Sequence, residues 1–170
     1  SFLDGAIRIK DLIKRAGELK MSAVAVTDHG NMFGAVDFYQ QAKAAGIKPI
    51  LGMEAYVTGV VGDTLHTDKV KEHFHLVLLA ENDTGYANLK KLSSRAFIDG
   101  KYYFPRVDKH LLKEHREGLI ATTACLGGEV GHGLVRKGIG RLTVYDHDRV
   151  DVTNLARQQF YPEDVGKPKV

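Results

Sequence analysis

The chain has little sulfur chemistry to offer. Its single cysteine, Cys125, excludes an intramolecular disulfide framework, and a cytosolic compartment fits that usage best. No apolar run approaches the roughly 20 residues that a membrane-spanning helix needs, and no basic-then-apolar leader opens the chain. No membrane role is expected. Charge is short on bias too: Lys+Arg 24 against Asp+Glu 21 gives +3, which permits nucleic-acid binding without indicating it. Repeats and low-complexity linkers are absent, as are the local metal motifs Cys-x-x-Cys and His-Glu-x-x-His.

What is present is an ordinary globular composition, 44% hydrophobic and 26% charged over 170 residues, enough for one domain or one domain with a short appendage. The first residue is Ser1 rather than methionine, which fits a piece of a longer polypeptide. Ile9, Leu12, Ile13, Ala16 and Leu19 recur at helical spacing opposite Arg8, Lys10, Lys14 and Arg15, predicting an amphipathic helix over 6–20. A short apolar strand, 23–26, leads into the polar loop Thr27-Asp28-His29-Gly30-Asn31. A second helix over 34–45 is stopped by Gly46. Strands follow at 47–57, 74–80 and 119–123, with helices at 83–98 and 108–115 and a loop or small hairpin over 58–71.

Strands alternating with helices imply an α/β fold with a parallel sheet, open or barrel-like. Chemistry in such folds sits at the C-terminal ends of strands. Five residues occupy those ends or adjoining loops: Asp4, His29, Glu54, His75 and Cys125. Imidazole, carboxylate and thiolate all suit zinc, and the first two suit manganese or iron. Each has an ordinary alternative. Asp28-His29-Gly30 reads equally as a turn, and Asp4 as a helix cap. Glu54 in an apolar strand needs a partner, either a metal or a basic side chain. His73 and His75 alternate onto one strand face, where both could be solvated, and Cys125 suits a small core position.

Several segments, in order, resemble the PHP (polymerase and histidinol phosphatase) domain of bacterial DNA polymerase III alpha subunits. They are Ser1-Phe-Leu-Asp-Gly-Ala, Val26-Thr-Asp-His-Gly-Asn-Met-Phe-Gly-Ala and Gly46-Ile-Lys-Pro-Ile-Leu-Gly-Met-Glu-Ala-Tyr-Val. Further on come His75-Leu-Val-Leu-Leu-Ala, Gly85-Tyr-Ala-Asn-Leu-Lys-Lys-Leu and Ala124-Cys-Leu-Gly-Gly-Glu-Val. The resemblance covers about residues 1–130 and implies a distorted β/α barrel with divalent metal ions (zinc, manganese or magnesium) at the strand ends. It makes Asp4, His29, Glu54, His75 and Cys125 metal ligands and Asp28 a residue that orients one of them. It also implies phosphoester hydrolysis, including removal of nucleotides from a DNA 3′ end, with DNA and other replicase subunits as partners.

Two parts of the family pattern have no counterpart: an opening His-x-His and a closing Asp-x-His. Asp146-His147-Asp148 stands in the wrong context for the latter. The implied barrel and metal cluster are therefore incomplete, and hydrolysis by this chain alone is expected to be impaired. From about Gly131 the tail, residues 131–170, resembles a fragment of the ThiF/MoeB adenylating enzymes, a short Rossmann-like strand and helix. By that resemblance Asp146 would hold an ATP ribose, with Arg157 and Lys169 on its phosphates. The Gly-rich phosphate loop is not intact, so ATP use is not expected. Three readings stand: a replication-associated PHP phosphoesterase fragment, a non-catalytic chimeric or truncated protein, and an ATP-dependent adenylating protein. The sequence leaves open whether the chain itself is a catalyst.

Overall fold

Helix α1 (Ile9–Glu18) buries Ile13 and Ala16 and turns its charges outward, where Arg8–Asp11 and Arg15–Glu18 pair at 2.7 and 2.9 Å. Exposed pairs of this kind contribute little, about 0.3–0.5 kcal/mol each. The computed structural model describes residues 7–59, 64–123 and 167. Asp4, Cys125, Asp146, Arg157 and Lys169 lie outside the described residues, as does the 130/131 boundary.

Strand β1 (Ala23–His29) runs three residues beyond the expected 23–26 and carries Asp28 and His29 within it. Helix α2 (Ala35–Ala44) ends as its sequence demands. Gly46 has φ +71, its N–H donates to Lys43 O, and Ile47 N–H donates to Ala42 O at 2.9 Å, a Schellman closure. Strand β2 (Lys48–Val57) and strand β3 (Phe74–Ala80) follow. Asn82 caps helix α3 (Asp83–Ile98) by accepting Gly85 N–H at 3.0 Å. Two short strands, β4 (Lys101–Tyr102) and β5 (Phe104–Val107), were not expected from sequence; helix α4 (Lys109–Glu114) and strand β6 (Leu119–Thr123) complete the described elements.

The sheet is mixed, which corrects the parallel arrangement expected from alternating elements. β2 is its centre. One edge of β2 pairs in parallel with β1 along residues 48–54 and then with β5 at 56–57. The other edge pairs antiparallel with β3, which pairs antiparallel with β6. The described part of the 58–73 connection contains no helix, so β3 doubles back beside β2 instead of crossing over.

Strand alternation divides the sheet into two unlike faces. Met53, Ala55, Val57, Leu76 and Leu78 pack with Leu89, Leu92 and Ala96 of α3 and with Leu111 and Leu112 of α4. Val24, Val26 and Leu51, on the same face, pack under α1 and α2 with Ile13, Phe38 and Ala42. The opposite face carries His29, Glu54, His75, Val77, Leu79 and Ile120, none of which belongs to either core cluster. The polar site therefore occupies the side of the sheet that the described helices leave uncovered.

Candidate metal centre

His29 is the last residue of β1 and stands opposite Glu54 in the parallel ladder; His75, near the start of β3, stands opposite Tyr56. Antiparallel pairing brings the beginning of β3 to the end of β2, so all three side chains meet at one end of the sheet. His75 thus reaches the site from the N-terminal end of its strand, contrary to the rule that singled it out. Glu54 Oε1 lies 3.2 Å from His29 Nδ1 and is hydrogen-bonded to His75 Nδ1. One ligand atom from each of the three residues lies within 4.8 Å of the others. The Glu54 side chain is only 15% exposed, so its carboxylate requires the imidazoles, or a cation between them, as compensation for lost hydration.

The loop after β1 fixes His29. Gly30 N–H donates to Glu54 O at 2.7 Å, extending the ladder by one bond. A Cβ on Gly30 would sit 2.6 Å from Pro105 Cγ and 2.8 Å from Tyr56 Cε2, and its φ of +68 is a left-handed one, so glycine is required there. The Asn31 side chain donates to His29 O at 2.8 Å and accepts from Phe33 N–H at 3.0 Å. Buried Asp28 accepts Gly34 N–H at 3.0 Å, tying the loop to the start of α2.

A second buried polar group, at the end of β5, was missed in the sequence. Asp108 Oδ2 accepts the backbone N–H of His66 at 2.9 Å and lies 2.5 Å from His66 Nδ1, while Oδ1 accepts Leu111 N–H at 2.8 Å and caps α4. Burial raises the Asp108 carboxyl, but hydrogen bonds from the His66 backbone and ring and from Leu111 outweigh it, holding it below the ordinary carboxylate range. Arg106, 1% exposed, donates to the carbonyls of His66, Asp68, Val70 and Gly100. Burial depresses its pKa, opposed by Asp68 and Tyr102. The one available signal was Pro105-Arg106-Val107-Asp108 directly before a helix, with Asp at the cap position.

Two imidazoles and a carboxylate, drawn from three strands, form a donor set suited to zinc, manganese or iron, with room for ligands beyond the protein. Residues 1–160 match the PHP domain family. The chain belongs to that family. DNA polymerase III subunit alpha of Helicobacter pylori is 58% identical to the PHP chain over 134 residues, 79% of this chain and 11% of the relative. The subunit of Chlamydia muridarum is 47% identical over 168 residues, 96% of this chain and 13% of the relative. The PHP chain thus spans about a tenth of the length of the curated relatives it matches. A Bifidobacterium adolescentis protein described as a metal-dependent phosphoesterase shares the fold at 15% identity and a TM-score of 0.51, covering 82% of this chain and 72% of its own. The α/β, PHP-type distorted-barrel architecture expected from sequence therefore holds.

The structure brings together His29, Glu54 and His75; Asp4 and Cys125 fall outside the described residues. The family match continues to residue 160, well into the tail that resembles ThiF/MoeB enzymes, and that second resemblance gains no support from these relatives. None of the described helices is long and apolar enough to cross a membrane.

Proposed function

We propose that His29, Glu54 and His75 hold a divalent metal ion (zinc or manganese) and that the domain performs metal-dependent phosphoester hydrolysis in DNA replication. The observation that carries this reading is the convergence of three ligand atoms within 4.8 Å on the sheet face that the described helices do not cover. When bound, the cation supplies Lewis acidity toward phosphate oxygens and water. The protein's own contribution is placement. The β1–β2–β3 ladder spaces the ligands, Asn31 and Gly30 hold the His29 loop, and the described helices pack on the opposite face.

The relatives named as DNA polymerase III subunit alpha support DNA and other replicase subunits as partners and a cytoplasmic setting. Asp4 and Cys125 join the proposed ligand set on the strength of the PHP resemblance. Hydrolysis is expected to be weak in this chain by itself. The test is metal content after dialysis, paired with release of nucleotides from single-stranded DNA. One retained equivalent, lost in His29→Ala, supports the reading; wild-type protein that retains no metal overturns it.

A further inference from the structure

The candidate metal centre continues into a run of aromatic rings that the reaction itself does not require. Tyr56 lies 5.1 Å from His75, centroid to centroid, and 4.9 Å from both His73 and Phe104. His73 and Phe104 are 4.6 Å apart. The run begins in the interior, with Tyr56 7% exposed, and ends in solvent with Phe104, 40% exposed; the neighbouring Tyr103, 66% exposed, packs edge-on against Tyr102 at 4.8 Å. Tyr103 forms the reversal between β4 and β5 at φ +60, a conformation that bulky residues adopt at a cost. That geometry displays two aromatic rings where burial would be cheaper.

Amines flank the rings. Lys71 Nζ lies 4.4 Å above the Tyr103 ring, and the Lys71 carbonyl is 2.8 Å from His73 Nδ1, which fixes the segment beside the platform. Lys101, exposed, extends toward Phe97 at 5.9 Å. Exposed Asp68 and Glu72 offset Lys69 and Lys71 in the same segment. The surface therefore offers π faces more than net positive charge.

We propose that Phe104 and Tyr103 form a stacking platform for an unpaired nucleobase, so that single-stranded nucleic acid is led along the rings toward the metal-site residues. The ligand this surface fits has flat faces and a backbone that tolerates one or two amines. A duplex hides its base faces in its own stack. The inference deepens the phosphoester reading, on which its direction rests, since the rings end at His75, but stacking needs no metal. Because charge is nearly balanced, affinity depends on salt only shallowly.

The chain has seven tyrosines but no tryptophan, so Phe104→Trp installs a single tryptophan emitter at the platform, excited at wavelengths that the tyrosines do not absorb. With chelator present, an oligothymidylate of about 12 nucleotides is expected to quench that emission saturably, and a duplex of equal length to leave it unchanged. Phe104→Ala is expected to weaken binding of a labelled oligonucleotide at least about fivefold with its melting curve intact. Absence of quenching, equal quenching by duplex, or unchanged affinity in Phe104→Ala overturns the platform. Oligonucleotide binding by a chain that retains no metal supports the platform and sinks the phosphoester reading. Metal retention without quenching does the reverse.

Discussion

His29 and Glu54 are direct partners across the parallel β1–β2 pair, and 3.2 Å separates the His29 Nδ1 atom from the Glu54 carboxylate. Glu54 also accepts from His75, so one carboxylate is shared by two imidazoles from different strands. Exchanging Glu54 for Gln keeps the shape and removes the charge. Metal affinity is expected to fall at least about tenfold, read by competition with a chromophoric chelator. Unchanged affinity removes Glu54 from the ligand set.

Metal binding only to the folded chain stabilises it by about 2.7 kcal/mol at a concentration of 100 Kd. A rise in Tm with added zinc or manganese, reversed by chelator, is the expected thermal signature. His75→Ala is expected to abolish the rise and also to lower the metal-free melting point, because the buried Glu54 carboxylate loses the imidazole that hydrogen-bonds it. A full metal shift in that variant would exclude His75.

Asp108→Ala removes the cap of α4 and the acceptor for His66, and is expected to cost about 2–4 kcal/mol in denaturant unfolding. The sign with pH follows from the lowered carboxyl. Its contribution is present above the ordinary value of 3.8 and is lost as pH falls through the lower folded value. The stability gap between wild type and variant is therefore constant above about pH 5 and closes in more acidic solution. A gap that widened on acidification would contradict the pairing.

Two glycines make opposite forecasts. A Cβ at Gly85 would lie 1.8 Å from Gly118 O, backbone that cannot yield cheaply, so Gly85→Ala is expected to cost about 3 kcal/mol. At Gly17, inside α1, a Cβ meets nothing within 4 Å, and Gly17→Ala is expected to add about 0.5–1 kcal/mol. Thermal melts of the two variants check both, and equal effects would contradict the packing at the start of α3.

The elements legible in the sequence are those whose own periodicity decides them. β3 at 74–80, α3 at 83–98 and β6 at 119–123 stand where the pattern puts them. β1 runs past its apolar stretch because its polar end, Thr27 to His29, is paired along β2 by backbone bonds that side-chain hydropathy does not encode. β4 and β5 are too short, and broken by Pro105, to show alternation. His29, Glu54 and His75 were visible through family resemblance, but their meeting depends on an antiparallel turn-back that alternation of elements does not predict. The Asp108–His66 contact spans 42 residues and Arg106–His66 spans 40, separations at which no local pattern reports.

Each described candidate ligand comes from a different strand, and the backbone ladder sets its position. A slip of one residue in β1 or β3 would send that imidazole through to the helix side. A collapsed chain with its helices formed but its strands misaligned would look native by circular dichroism and yet be blind to metal. Cation uptake is thus an assay of strand alignment, and during refolding it should lag behind the return of helix.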